Sequence, residues 1–449
     1  MALNVLFLYP SVNLDRWVNY GVACLCGVIR QEGHRAVLYQ PVAKEPEVLS
    51  RLLLSENFDL CLVSAVTNQW PHALELIRQV RAQSAIPVIL GGHHATSSPH
   101  LLAETPELDA LCVGEGDLVL AELLQRIAAG QDLAGISGLW TRTPGNPGQV
   151  IPSEVGSLIE NLDSLPMPDF SVFSRQTITN RPSLLLSRGC PYNCTYCCNN
   201  NLRRIYDGKG AFVRKKSVAR AMAEVRAFVA GHAPVELNFD DDTFVKDKRW
   251  LAEFLGYYRQ EVALPFNCNT RAETLDDEIC RLLKESGCRI VCIGIESGNE
   301  QFRRTMYKRN MSNEALIRAF DLLRKHGLAS YAFNIVGAPD ETYSHYLDTV
   351  RLNRLVRPDG WQITTFYPYP GSELYEYAHR KGYLAGGYSD SFVSGSLLRM
   401  KTFPAWLIRF ASATFHYRLW SAGKTFRQKA FFIASSVKQA ITACLGRRR

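Results

Sequence analysis

Apolar runs and amphipathic stretches alternate along the first 145 residues. Short apolar runs predict five buried strands, at residues 4–10, 36–39, 60–64, 87–92 and 111–114. Segments with helical periodicity separate them, at about 21–33, 46–56 and 70–83, and a further one follows at 117–129. Strands and helices of these lengths predict a doubly wound, Rossmann-like α/β domain with a parallel sheet. Ligands of such sheets bind beyond the carboxyl ends of the strands.

The same alternation returns between residues 181 and 385. Candidate strands lie at 183–187, 235–239, 266–269, 290–295, 332–336 and 362–366, with helical segments between them. A turn-rich and then extended stretch, 146–180, predicts a linker between the two domains. Residues 386–449 predict a small helical region, which is rich in aromatic and basic residues.

Composition narrows the class of protein. Hydrophobic residues make up 47% and charged residues 21% of the 449 positions, as in ordinary soluble domains. We expect a cytoplasmic protein, because no apolar run reaches transmembrane length and the first ten residues do not read as a signal peptide. The net charge of +8 is modest and concentrates near the C-terminus, so we expect no nucleic-acid partner.

Three cysteines follow the first strand of the second domain within eight residues. Cys190, Cys194 and Cys197 have the spacing Cys-x3-Cys-x2-Cys. A loop this tight can direct three thiolates at one centre, and such soft ligands suit an iron–sulfur cluster or zinc. Structural zinc needs four ligands, and here the fourth would be remote, since the adjacent Cys198 is awkwardly placed. The spacing favours a cluster with one open coordination position.

This loop, with Tyr196 before its last cysteine, resembles that of the radical S-adenosylmethionine (SAM) enzymes. The resemblance implies that Cys190, Cys194 and Cys197 hold a [4Fe–4S] cluster, whose open iron binds SAM and reductively cleaves it to a 5′-deoxyadenosyl radical. It also implies a partial (β/α)6 TIM-type barrel for residues 181–385, and an electron donor such as ferredoxin or flavodoxin.

Polar residues follow several strands of this predicted barrel. A helix cap or a turn explains each one alone, but together at one rim they indicate a ligand. Arg271 suits a carboxylate, because its guanidinium can donate two parallel hydrogen bonds. The resemblance assigns SAM binding to seven residues: Tyr196, Asp240, Asp241, Arg271, Glu296, Ser297 and Gly337.

Polar or glycine-rich loops end the third, fourth and fifth strands of the first domain. Glycines there let a large ligand approach the backbone. A phosphate-binding nucleotide fold is a competing interpretation, but no Gly-x-Gly-x-x-Gly follows the first strand. The loops resemble those of the cobalamin-binding domain that precedes many radical SAM barrels. The resemblance implies nine binding residues: Ser64, Thr67, Gly91, Gly92, His94, Thr96, Gly114, Glu115 and Gly116.

One motif of some cobalamin domains is missing. Asp-x-His-x-x-Gly supplies a histidine to the lower face of cobalt, yet no histidine lies between Tyr9 and Gly33. The resemblance therefore implies cobalamin without this axial ligand. We expect His94 to pack near the nucleotide tail of the cofactor rather than on cobalt.

The C-terminal region has two interpretations. From Pro404 its aromatic residues alternate with arginines, and it ends in three arginines. It forms either helices that cap the barrel or an amphipathic segment that contacts the anionic inner face of a membrane, near a lipid-like substrate.

The combined resemblance covers residues 1 to 385 and is to cobalamin-dependent radical SAM enzymes. It implies that one SAM methylates cobalamin, and that a second yields the radical that activates a small-molecule or lipid-like substrate for methylation. Cyclases and rearrangement enzymes, such as the anaerobic porphyrin-ring cyclases, share these motifs. A non-catalytic iron–sulfur or corrinoid sensor is an alternative of another class.

Overall fold

Two parallel sheets follow one another along the chain. The structure is a computed structural model that describes residues 2–11, 17–43, 45–143, 145–180, 182–389 and 395–420. It confirms the predicted α/β class and the order of the two sheets.

The N-terminal sheet consists of β1 (Asn4–Leu8), β2 (Arg35–Tyr39), β3 (Leu60–Ser64), β4 (Val88–Gly91), β5 (Ala110–Cys112), β6 (Leu139–Thr143) and β7 (Asn146–Ile151). Its spatial order is β2-β1-β3-β4-β5-β6-β7, and β1 to β5 are parallel. The helices are α1 (Tyr20–Gln31), α2 (Pro46–Ser55), α3 (Trp70–Gln83), α4 (Gly92–Ser97), α5 (Leu101–Glu104) and α6 (Asp117–Ala128). The antiparallel β6–β7 hairpin extends this sheet beyond residue 145, into the stretch that the sequence predicts to be a linker.

The second sheet starts at the cysteine loop. After α7 (Arg175–Asn180), its strands are β8 (Ser183–Leu184), β11 (Leu237–Phe239), β12 (Phe266–Thr270), β13 (Cys288–Glu296), β14 (Ala329–Val336) and β15 (Gly360–Thr365). They form a parallel sheet in the order β8-β11-β12-β13-β14-β15, as a partial barrel requires. A short ladder joins β9 (Ser187–Arg188) to β10 (Arg214–Lys215) beside the loop. The helices are α8 (Cys198–Ile205), α9 (Val218–His232), α10 (Lys248–Glu261), α11 (Asp277–Glu285), α12 (Glu300–Thr305), α13 (Asn313–Lys325), α14 (Tyr343–Val356) and α15 (Glu373–Arg380).

Polar caps fix where the barrel helices begin. Ser217, Asp247, Asp276, Ser312 and Thr342 each accept a backbone N–H of the first helical turn. The loops between the strand ends and these helices therefore have fixed ends, which positions the side chains of the rim.

Residues 165–173 of the predicted linker, the wedge, pack between the two domains. The Asp169 N–H donates to the Ala23 carbonyl of α1 at 2.8 Å. On the other side, the Phe170 ring packs edge-on against Phe228 of α9. The apolar core is continuous across this wedge, so the two domains share one buried interior.

The C-terminal region adds α16 (Ala405–Trp420), which packs on α14 and β15. Tyr346 of α14 donates its hydroxyl to the Ala411 carbonyl at 2.8 Å, which ties the two helices together. As far as residue 420, the region therefore caps the barrel, the first of its two interpretations. Its basic end, residues 421–449, lies outside the described residues. Among the helices that the structure describes, none is both long enough and apolar enough to span a membrane.

Candidate active site between the domains

A cavity of about 610 Å³ opens where the carboxyl ends of both sheets meet. One wall comes from the loops after β3, β4 and β5, and the other from the cysteine loop and the loop after β11. Seven of the nine predicted cobalamin residues line it: Ser64, Gly91, Gly92, Thr96, Gly114, Glu115 and Gly116. From the barrel, its described lining includes Asp240 of the predicted SAM residues, and Gly189 and Cys198, which flank the three cysteines. The chamber therefore reaches from the predicted cobalamin loops to the edge of the cysteine loop.

Backbone geometry requires glycine at two points of this wall. Gly92 has φ +90°, and a Cβ there would lie 2.8 Å from the Ala65 carbonyl oxygen. Gly114 has φ +92°, and its Cβ would lie 2.1 Å from the Tyr206 hydroxyl oxygen. The Thr96 hydroxyl donates to the Gly92 carbonyl and accepts from the Gly114 N–H, each at 3.0 Å. The two loops are therefore hydrogen-bonded to each other through Thr96, and only glycine fits the backbone at Gly92 and Gly114.

His94 and Thr67 lie behind this wall. His94 is fully buried between the rings of Trp70 and Tyr388, at centroid distances of 5.2 and 5.7 Å. Burial lowers the pKa of its imidazole to about 4, so the ring is neutral. Thr67 begins a buried single turn that leads into α3. The neighbouring His93, which is not among the predicted site residues, faces the cavity instead.

Glu115 lines the cavity but also joins the two domains. Its carboxylate accepts hydrogen bonds from both terminal guanidinium nitrogens of Arg214 and lies 3.3 Å from Arg188. Arg188 itself makes two hydrogen bonds to Asp117, at 2.7 and 3.0 Å. Burial would lower the pKa of Arg188, but Asp117 and Glu115 raise it above its usual range. These four residues, the junction network, link the Gly114–Asp117 loop to the strand that leads into the cysteine loop.

The cysteine loop presents three free thiols, and one of them, that of Cys194, has two cationic neighbours. Cys194 accepts from Arg271 at 3.4 Å and from a second arginine, Arg309, at 3.8 Å. A hydrogen bond from the thiol of Cys198 lowers the pKa of Cys197. Such donors stabilise the thiolates of Cys194 and Cys197, which suits a cluster that needs anionic sulfur ligands. Burial raises the pKa of the third thiol, Cys190, to about 12, so that thiol would lose its proton to the metal on binding. Among the described side chains, no group of three or more His, Cys, Asp or Glu is arranged to hold a single metal ion.

The three consecutive acids after β11 have different orientations. The Asp240 carboxylate lines the cavity and accepts from the Ser183 hydroxyl at 2.5 Å. Asp241 is buried and accepts from the Leu186 N–H at 3.1 Å, so it supports the backbone that leads into the cysteine loop. Asp241 is predicted to bind SAM, but here its carboxylate is turned toward the backbone rather than toward the cavity. Asp242, which the sequence did not single out, faces the cavity and accepts from Asn199 at 3.1 Å.

Glu296 lies at an irregular point of β13. Its φ is +63°, next to a register shift against β14. A Cβ on Gly294 would stand 2.2 Å from its carboxylate, so that glycine makes room for the side chain. The carboxylate accepts from the Tyr196 hydroxyl at 3.2 Å and lies 4.0 Å from Arg309. Burial raises the pKa of Glu296, while Arg309 and Tyr196 oppose the rise.

Arg309 is the main site residue that sequence reasoning missed. It is buried and donates to Cys194, to the Tyr196 hydroxyl and to the Gly294 carbonyl. It therefore joins the cysteine loop to the Glu296 position. No motif marks it, because it lies in the loop between α12 and α13 rather than at a strand end.

The remaining predicted SAM residues have protein partners. Arg271 stacks on the Tyr192 ring at 3.7 Å and also binds Glu273 at 2.6 Å. Ser297 is fully buried, directly beyond Glu296. Gly337 packs against Ile408 of α16, and the Gly337 N–H donates to the buried carboxylate of Glu341. Arg271 and Glu296 thus belong to the network around Cys194, whereas Gly337 lies against the C-terminal helix.

Comparison with known proteins finds two domains in the predicted order. The family model of the B12 binding domain matches residues 14–124, and that of the radical SAM superfamily matches residues 184–352. An uncharacterized methyltransferase of Pyrococcus horikoshii is 28% identical over 367 residues, which are 80% of this chain and 78% of that protein. The anaerobic magnesium-protoporphyrin IX monomethyl ester cyclase of Rubrivivax gelatinosus is 23% identical over 403 residues, covering 83% and 70% of the two chains.

A solved structure has the same fold. The radical SAM methyltransferase TsrM from Kitasatospora setae, with cobalamin and a [4Fe–4S] cluster bound, superposes with a TM-score of 0.69. The match covers 85% of this chain and 79% of TsrM at 18% identity. The two family models match one after the other, and the chamber between their domains is lined by Gly189 and Cys198, which flank the three free cysteines. This chain therefore belongs to the radical SAM enzymes that carry an N-terminal B12-binding domain.

Proposed function

We propose that this enzyme methylates an unactivated carbon of a small-molecule or lipid-like substrate. The observation that carries the proposal is the single chamber, which joins the glycine loops of the B12-binding domain to the cysteine loop of the barrel. Methyl transfer to carbon needs a methyl carrier and a radical generator within reach of one substrate. When bound, cobalamin supplies the methyl carrier, and a [4Fe–4S] cluster with SAM supplies the radical.

Residues of the barrel rim would orient SAM at the cysteine loop. The carboxylate of Glu296, held by Tyr196 and Arg309, suits the hydroxyls of a ribose. Asp240 and Asp242 face the cavity, and carboxylates there suit an ammonium group. Arg271 is placed beside Cys194, where its guanidinium would meet a carboxylate of a ligand bound at the loop.

The walls also suit an apolar substrate with few charges. Phe7, Val18, Leu25 and Phe212 contribute apolar surface to the chamber. The buried Lys216 and Glu224, which also line it, neutralise each other at 2.5 Å. A substrate that displaces water from these walls gains from apolar contact rather than from charge pairing.

Product analysis tests the proposal. Protein purified without oxygen would be loaded with iron, sulfide and cobalamin, then reduced by titanium(III) citrate in the presence of SAM. We expect both 5′-deoxyadenosine and S-adenosylhomocysteine, since the first reports radical formation and the second reports methyl transfer from SAM. Absence of both products would favour a binding protein or sensor and overturn the proposal.

A cyclase or rearrangement enzyme is the second candidate. Similarity to the Rubrivivax cyclase extends over 83% of this chain, as far as the match to the Pyrococcus methyltransferase does. In that case 5′-deoxyadenosine would form without S-adenosylhomocysteine.

We also infer that the enzyme works in the cytoplasm, receives electrons from a ferredoxin or flavodoxin, and touches the membrane surface through its C-terminal region. Trp406 and Phe410 of α16 lie one helical turn apart and expose 68% and 48% of their surface. Residues 399–449 contain no acidic residue, so this end of the chain suits an anionic surface. Co-sedimentation with phosphatidylglycerol vesicles tests the contact: Trp406→Ser should weaken it, and equal binding by both proteins would refute it.

A further inference from the structure

Helix α8 holds the cysteine loop at its first and at its last cysteine. The helix begins directly after Cys197, and the side-chain amide of Asn199 donates to the Cys197 sulfur at 3.7 Å. One turn further on, the Arg203 guanidinium donates to the backbone carbonyl of Cys190. The position of α8 therefore sets the shape of the loop that carries the three thiols.

The same helix contacts both glycine loops of the B12-binding domain. The Asn201 amide donates to the Ser97 hydroxyl at 3.2 Å, and Ser97 ends α4, whose first residues line the chamber. Tyr206, the C-cap residue of α8, accepts from the Glu115 N–H at 2.6 Å. Asn201 and Tyr206 are both buried. One helix is thus hydrogen-bonded to the loops of both predicted cofactors.

One of these contacts lies away from the cofactors themselves. The described lining of the chamber includes neither Ser97 nor Asn201. Their hydrogen bond can therefore affect a bound cofactor only through the two loops that it joins. Loss of this bond is a clean perturbation, because it removes no group from the chamber wall.

We propose that α8 couples the two cofactor sites, so that a cluster in the cysteine loop tightens the binding of cobalamin and cobalamin tightens the binding of the cluster. Ser97 and Asn201 are positioning residues of this coupling. The inference rests on the proposed function, because methyl transfer by that route needs both cofactors at the same time.

The physical basis is the entropy of the two loops. Ordering a loop around its ligand costs conformational entropy. Both loops are bonded to one helix, so the ligand that binds first also orders part of the second site, and the second ligand binds more tightly. Such a coupling is reciprocal, and it typically changes an affinity by about 5- to 150-fold.

Equilibrium dialysis with hydroxocobalamin tests the coupling. Dissociation constants would be measured without oxygen for protein loaded with iron and sulfide, and for protein freed of iron by a chelator. Wild type should bind hydroxocobalamin at least about fivefold more tightly in the loaded form. Ser97→Ala and Asn201→Ala should each bring this ratio toward one. The double variant should go no further than either, since both changes remove the same hydrogen bond.

Arg30→Ala is the control for loosened packing between the domains. Arg30 joins α1 to Asp169 of the wedge at 3.3 Å, by a path that does not include α8, so this variant should keep the wild-type ratio. Ser97→Ala removes a single hydroxyl, so it keeps the test valid if Asn201→Ala folds poorly.

Three results would overturn the coupling through α8. They are a wild-type ratio of one, a wild-type ratio retained in Ser97→Ala and Asn201→Ala even if both affinities fall, and a ratio lost equally in Arg30→Ala. Wild-type protein that binds no hydroxocobalamin in either form would instead refute the proposed function itself.

Discussion

Replacing Glu115 by Gln should weaken the junction between the two domains. The carboxylate pairs with Arg214, whose side chain is only 3% exposed, and with Arg188 at 3.3 Å. Its loss leaves Arg214 with a single carbonyl partner, Ile159, at 2.9 Å among the described residues. Removing one partner of a buried ion pair destabilises a protein by about 3–5 kcal/mol. Glu115 is 23% exposed and Gln keeps one acceptor, so we expect about 2–3 kcal/mol.

Urea unfolding of cofactor-free protein measures this loss. Glu314→Gln is the control, because Glu314 is 87% exposed and pairs at 3.8 Å with Arg318, which is 68% exposed. An exposed pair of this kind contributes less than about 1 kcal/mol. Arg214→Gln and the double variant complete a cycle, in which the two changes should be strongly non-additive.

The same variants separate two roles of Glu115. If the carboxylate holds the domains together, unfolding moves to lower urea in Glu115→Gln, and Arg214→Gln shows the same shift. Unchanged unfolding together with a large loss of cobalamin affinity in equilibrium dialysis would refute the reasoning. Glu115 would then contact the cofactor directly, as the sequence predicts.

Three further predictions follow from the site. Alanine at any of the three cluster cysteines should abolish iron loading, whereas Cys198→Ala should retain the iron and sulfide content of wild type. A Cys198→Ala protein that binds no iron would show that the cluster ligands are misassigned. Gly114→Ala should lower cobalamin retention, because the new Cβ meets Tyr206; Gly130→Ala, also at positive φ but with no atom within 4 Å, should not. Burial raises the pKa of Glu341 to about 8. Between about pH 4.5 and 8, the carboxyl group is therefore protonated in the folded state and ionised in the unfolded state. Wild type should therefore lose roughly 3–5 kcal/mol relative to Glu341→Gln as the pH rises from 5 to 9, and parallel thermal-unfolding profiles would contradict this.

Much of this architecture could be predicted because its signals are local. The alternation of apolar runs fixes both sheets, and the spacing of Cys190, Cys194 and Cys197 needs no distant partner. The loops after β3, β4 and β5 meet at one edge because the strands are parallel. Seven of the nine residues that the resemblance assigns to cobalamin line the chamber at that edge.

The remaining features depend on residues far apart in the chain. Glu115 meets Arg214 about a hundred positions later, and no local pattern reports that pair. Asp240, Asp241 and Asp242 are identical in chemistry, so only the twist of the backbone decides which of them turns inward. Arg309 is missed for the same reason, since its contacts with Cys194 and Tyr196 are made across the barrel.

The wedge of residues 165–173 affects how the protein folds. A Cβ on Gly27 of α1 would stand 2.3 Å from the Met167 carbonyl oxygen, so α1 and the wedge touch at backbone distance. Phe170 completes the interior on the other side, against α9. Neither half of the chain can bury this surface alone, so either half expressed separately would expose it and tend to aggregate. The two halves should therefore melt in one cooperative transition, and a domain taken from a relative would have to bring a matching wedge.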